Sequence, residues 1–345
     1  MAVNNAPGRA NQASAVTISQ IKDVVWSTGR ILVLLATLAI VLGLLLWPKT
    51  TLPLLWDLLI PILPATFFVT PQFWRGLCPL ATLNQCVGGR FRLVQLNGRL
   101  LTAANVMGIV LLLVMVATRR VIFNEDGTAL AVTILAVIAL AVFSGAWFHA
   151  RAGFCNSICP ILPIERLYGQ YPLVALDNHR CHPCIQCIPK GCLEVDQRKS
   201  IAFAVRTSRG DYGWLVTSYG VLAASLPGFV IGYFTERDVM WWKAGALGDA
   251  VCVYFWIAGC SLVSYLITLM VVGTFRLDAG FSLAVLAACA GTLYYWWAAL
   301  LIVKTLQLSP IAVWPVRVLV YVLLVVWLIH ATVQRRRPVS SLGSR

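Results

Sequence analysis

Apolar residues in this chain come in long unbroken runs rather than in alternating or one-faced patterns. Eight runs, at about 31–47, 53–69, 101–118, 128–146, 214–234, 250–273, 279–303 and 311–331, match the length a helix needs to cross a hydrocarbon core. They predict an all-α integral membrane protein of about eight transmembrane helices. The second run is the least regular. Pro53, Asp57, Pro61 and Pro64 interrupt it, as in a broken or re-entrant segment whose freed backbone groups find partners elsewhere in the protein.

The polar stretches divide the rest. Residues 1–28 form an N-terminal tail, with a short amphipathic helix expected near Ile18–Trp26. The tail has no apolar core followed by a small-residue cleavage site, so no cleaved signal peptide is expected. Residues 29–146 form a four-helix membrane part that includes a loop around Cys78. A polar segment follows at 147–213, a second four-helix part at 214–334, and a basic tail at 335–345.

Composition agrees with the pattern. The chain has 345 residues, 59% of them hydrophobic and 12% charged, well below the roughly 25% charged of a soluble domain. The net charge of +14 does not point to nucleic acid. The basic residues sit in short loops, where they act as topology signals. With the N-terminus inside, twenty Lys and Arg fall on inner segments and six on outer ones, with Arg317 inside the last run. That bias predicts a multi-pass protein of the cytoplasmic (inner) membrane with both termini and the 147–213 segment in the cytoplasm. The two strong runs between Cys78 and Cys155 return the chain to the same side. Cys78, Cys86 and the cysteines from Cys155 to Cys192 therefore face one compartment.

The chemistry is concentrated in those cysteines. Six of eleven fall between Phe154 and Cys192: Cys155 and Cys159, the latter followed by Pro160, then Cys181, Cys184, Cys187 and Cys192. A cytoplasmic setting disfavours disulfides, and dense reduced cysteines usually bind metal. Zinc could use Cys181, Cys184, Cys187 and His182 or Cys192, yet structural zinc usually takes two ligand pairs a dozen or so residues apart. A C-x2-C-x2-C run suits a cubane better, because each thiolate binds a different iron. Eight inner-side cysteines would complete two four-cysteine [4Fe–4S] clusters. Cys181, Cys184 and Cys187 would serve one with a remote cysteine, and Cys192 would join Cys155 and Cys159 at the other.

A short internal repeat adds Cys78 to the set. Phe73-Trp74-Arg75-Gly76-Leu77-Cys78-Pro79-Leu80 aligns with Phe154-Cys155-Asn156-Ser157-Ile158-Cys159-Pro160-Ile161, each after a pair of apolar runs. Cys78 ranks above Cys86 because it keeps the Cys-Pro position, and Trp74 stands where the second copy has Cys155. Pro79, Pro160 and His182 are candidates to support the ligands. Cys252, Cys260 and Cys289 lie within apolar runs and read as small packing residues. His149 and His330, near inner helix ends, are haem-ligand alternatives. Trp241, Trp242, Tyr294, Tyr295, Trp296 and Trp297 read as an aromatic belt at the outer interface.

Taken together, the Cys155 to Cys159-Pro160 loop after a helix pair and the following C-x2-C-x2-C run resemble the membrane-bound polyferredoxins of the NapH/NosR type over roughly Phe73 to Cys192. That family has C-x3-C-P in both loops and commonly two ferredoxin motifs; here Trp74 breaks the first loop and one ferredoxin run exists. The resemblance implies a ferredoxin-like loop region with [4Fe–4S] clusters on the cytoplasmic side. It also implies electron exchange with the quinone pool or a membrane redox partner, and with a soluble carrier in the cytoplasm. An electron-transfer component rather than a stand-alone enzyme is expected. A cluster-based regulator or assembly factor, and a transporter with a structural zinc head, remain alternatives. Few charges lie in the runs, which weighs against a transporter.

Overall fold

The computed structural model describes residues 9–88, 90–91, 93–94, 98–148, 153–174, 176, 197–206, 211–243 and 245–335, with only the backbone of 9–22. The described chain is helical throughout, apart from one isolated β-bridge between Val94 and Phe148. Its helices are α1 (Arg9–Leu46), α2 (Pro48–Val69), α3 (Pro71–Leu77), α4 (Pro79–Cys86), α5 (Gly98–Phe123) and α6 (Gly127–Trp147), then α7 (Leu162–Tyr168), α8 (Gln197–Ala204), α9 (Ser218–Thr235), α10 (Ala246–Phe275), α11 (Ala279–Thr305) and α12 (Pro310–Arg335). Eight of these helices are long and apolar enough to cross a membrane, one for each apolar run. The expected separate helix at Ile18–Trp26 is instead the first part of α1, a single helix of 38 residues.

The second run is a full span, and its irregularity is local. Leu54–Leu59 adopts π-helical geometry between Pro53 and the Pro61–Pro64 turn. Such insertions accommodate groups that break the regular ladder. Asp57 sits in this segment and receives Arg119 Nη2 at 3.3 Å and Thr305 Oγ1 at 3.2 Å. Arg119 lies in a second π-helical segment, Arg119–Phe123, and stacks over Trp56 at 4.6 Å. An intramembrane carboxylate is thus matched by a guanidinium and a hydroxyl, as a low-dielectric setting demands.

α9 is the central span, with two-thirds of its most apolar window buried, whereas α1 and α10 bury only 11%. Leu247, Phe255, Met270 and Phe275 of α10 point outward, which suits a hydrocarbon surround. Gly228 and Gly232 let α9 approach α10 closely; a Cβ on Gly228 would fall 2.0 Å from the Cys260 carbonyl oxygen. Small residues one turn apart are the usual means of close helix contact in lipid. Tyr295 is not part of an aromatic belt: it is buried and donates to the Pro61 carbonyl at 2.5 Å. A helix buried on several sides gives no periodic cue that separates belt from core. Arg317 donates twice to the Trp296 carbonyl and stacks on that ring at 3.9 Å.

The internal repeat is visible as a reciprocal exchange. After the Cys78 loop, Phe91 and Leu93 donate their amides to Ala146 and Trp147 at the end of α6. After the Cys159 loop, Leu173 and Val174 donate to Phe68 and Val69 at the end of α2. Each copy's outgoing strand-like segment thus latches onto the helix that feeds the other copy. α4 packs on α6 and α7 packs on α2, completing the same pairing. This crossed arrangement brings the two Cys-Pro loops face to face.

Candidate metal centre

The first loop joins two helices directly through its Cys-Pro pair, whereas in the second Cys159-Pro160 lies in a turn two residues before α7, whose own first turn carries Pro163. Cys78 closes α3, its amide bonded to the Trp74 carbonyl at 2.7 Å, and Pro79 opens α4. Proline suits the first helical turn because the missing N–H has no partner there anyway. In the second loop, the amides of Ser157 and Cys159 both bond to the Phe154 carbonyl at 3.1 and 3.2 Å. That turn carries Cys155 and Cys159 on one compact coil before α7.

The two loops deliver Cys78, Cys155 and Cys159 to one buried cluster with Phe154, Ala81, Ala141 and Leu162. All three cysteines are at most 9% exposed. Cys86, at the far end of α4, is exposed and outside this cluster. Trp74, at the position equivalent to Cys155, packs edge-on to Phe67 at 6.4 Å and fills space where a fourth loop cysteine would stand.

Arg75 ties the loops together. Its Nη2 donates to the Cys155 carbonyl and to Asn156 Oδ1, both at 3.2 Å, and its Nε pairs with Glu165 Oε1 at 3.2 Å. Arg75 and Asn156 occupy equivalent positions in the two copies, so the loops touch at matching residues. Arg75 and Glu165 are both nearly enclosed, at 8% and 3% side-chain exposure. From the other side, α5 backs the loop at Gly108, where a Cβ would lie 3.1 Å from the carbonyl oxygens of Ile158 and Cys159. α1 covers the first loop: Trp26 lies over Gly76, and Arg30 donates to its carbonyl at 3.1 Å.

The electrostatics of the pocket oppose bare thiolates. Burial first, and the neighbouring Cys159 second, push the Cys155 thiol well above the usual range, while Arg75 pulls it down. Burial first and then Cys78 raise Cys159 to about 12, while the nearby backbone of Ile161 and Leu162 lowers it; the Leu162 amide itself bonds the Cys159 carbonyl oxygen at 3.2 Å. Burial thus disfavours ionisation of Cys155 and Cys159, and a coordinated cation would reverse that, since a coordinating thiol is deprotonated. The described residues thus bring three cysteines into one buried cluster, and a four-thiolate site would need one further ligand.

The remaining expected residues are placed as follows. Cys181, His182, Cys184, Cys187 and Cys192 lie outside the described residues, as does His149. Among the described residues, no three His, Cys, Asp or Glu side chains converge on a single metal ion. Cys260 lies under Gly228 and Gly232 as a packing residue, and Cys252 and Cys289 sit on outward faces of their helices. Cys260 and Cys289 line an apolar groove of about 740 Å³ between α9, α10 and α11. His330 lies in the last turns of α12. Arg75 and Glu165 are the pocket residues that the cysteine pattern did not flag; the cue was a charged residue within a few positions of each Cys-Pro pair. No protein-family model, curated protein or solved structure matches the chain.

Proposed function

We propose that the chain is a membrane-bound electron-transfer protein. It passes single electrons between the quinone pool or a membrane redox partner and a cytoplasmic carrier, through [4Fe–4S] clusters. The observation that carries this reading is the delivery of Cys78, Cys155 and Cys159 to one enclosed pocket by two loops some eighty residues apart in sequence. In this reading Cys78, Cys155 and Cys159 hold three corners of one cluster and Cys192 the fourth. Cys181, Cys184 and Cys187 hold a second, for which Cys86 is the remaining inner-side thiol. A cluster supplies a one-electron couple. Phe154, Leu162, Ala81 and Ala141 would keep water from it, the Leu162 amide holds the Cys159 carbonyl, and Arg75 fixes the two loops against each other.

Anaerobically purified protein is expected to be brown, with about four or eight irons per chain and matching acid-labile sulfide. Colourless protein with one stoichiometric zinc would overturn the reading in favour of a structural zinc head. The Lys and Arg bias supports a cytoplasmic pocket. A reporter that works only in the cytoplasm should be active when fused after Arg345; activity that requires export would reverse the assignment.

A further inference from the structure

Arg166 of α7 lies seven residues beyond Cys159 and is 1% exposed. Its Nε donates to Ser200 Oγ at 2.8 Å, and its Nη1 to Tyr219 Oη at 3.0 Å and Asn105 Oδ1 at 3.4 Å. The guanidinium also lies 5.3 Å from the centre of the Tyr219 ring. These groups come from α8, α9 and α5, and every one of them is neutral. The neighbouring Glu165 is engaged with Arg75 instead. Among the described residues no carboxylate pairs with Arg166.

A guanidinium stays charged at any pH a protein survives. Burying one with only hydroxyl and amide partners is costly unless an opposite charge lies near. Tyr219, which Arg166 touches, is within electrostatic range of both Cys159 and Glu165. Among the described residues, Arg75 pairs with Glu165 while the partners of Arg166 are all neutral. A cube held by four thiolates is net anionic, and one added electron makes it more so. We propose that Arg166 is the countercharge of the pocket cluster: a positioning residue rather than a ligand, which favours the reduced state and so raises the reduction potential. The inference rests on the iron–sulfur reading above. The step is a one-electron reduction by an added reductant such as dithionite, with no proton or ligand exchanged.

The test is a redox titration of the full-length protein followed by EPR, with iron measured on each sample. Arg166→Gln should keep its iron and shift the reduction equilibrium of the pocket cluster about tenfold toward the oxidised form, ~59 mV for a one-electron couple. Arg166→Lys, which keeps the charge, and Ser200→Ala, which removes only a hydroxyl, should titrate near the wild type. Asn105→Asp is the independent variant. It places an isosteric carboxylate against an intact guanidinium, and should lower the potential in the same sense even if Arg166→Gln fails to fold. Iron-loaded Arg166→Gln or Asn105→Asp that titrates with the wild type overturns the proposal. Wild-type protein without iron overturns the cluster reading itself, so the two failures are distinguishable.

Discussion

Replacing Cys155 or Cys159 by serine is expected to remove about half the iron of a two-cluster protein and one of two EPR signals, leaving the other intact. The expectation follows from how the pocket is closed. Phe154 and Leu162 are fully enclosed, Ala81 and Ala141 pack beside them, and the buried Glu165 carboxylate is paired with Arg75. A serine hydroxyl there is harder, less acidic and shorter than a thiol, and the Ser157 and Cys159 amides tie this turn to the Phe154 carbonyl. Cys181→Ser should remove the converse signal. Cys260→Ser, beneath Gly228 and Gly232, should keep all iron and lose only modest packing stability. If Cys155→Ser and Cys159→Ser leave iron content untouched, a single cluster exists and the pocket is not a ligand site. If Cys260→Ser strips iron, the packing role of that residue is wrong.

Arg75→Leu should be the most damaging substitution outside the cysteines. The guanidinium makes hydrogen bonds to Cys155 and Asn156 and an ion pair with Glu165, all inside a nearly closed shell. Taking one partner from a buried ion pair costs about 3–5 kcal/mol, because the other charge keeps its desolvation penalty. The expected result is a large fall in thermal midpoint in detergent, together with loss of the pocket cluster as the two loops separate. Adding Glu165→Gln to Arg75→Leu should recover part of the midpoint, since it removes the stranded charge, but not the cluster. A double variant that melts no higher than Arg75→Leu alone would show that Arg75 acts through its loop contacts and not through the ion pair.

The spans were legible because lipid makes a simple demand. Eight long apolar runs give eight long helices, and the interruptions in the second run prove to be a local π-helical segment rather than a break. The partner of Asp57 could not be read, because Arg119 lies 62 positions away and pairing at that distance leaves no sequence pattern. Tyr295 illustrates the same limit: neighbouring aromatic residues on α11 suggested a belt, and only the packing against Pro61 shows it to be core. At the pocket, the aligned Cys-Pro loops were readable from spacing. The crossed latching of Val174 on Val69 and Phe91 on Ala146 was not, since backbone hydrogen bonds are indifferent to side-chain identity. Arg75, Glu165 and Arg166 were passed over for a related reason. In a basic loop a charged residue reads as solvated or as a topology signal, and burial is what changes its meaning.

The central claim is that the pocket formed by the two repeat loops holds a cluster of its own, apart from the C-x2-C-x2-C run. The most direct measurement is the iron and acid-labile sulfide content of an anaerobically purified variant in which Cys181, Cys184 and Cys187 are all serine. The account predicts about four irons per chain with equal sulfide, retained because Cys78, Cys155 and Cys159 are untouched. A correctly inserted, folded variant that carries no iron would contradict it.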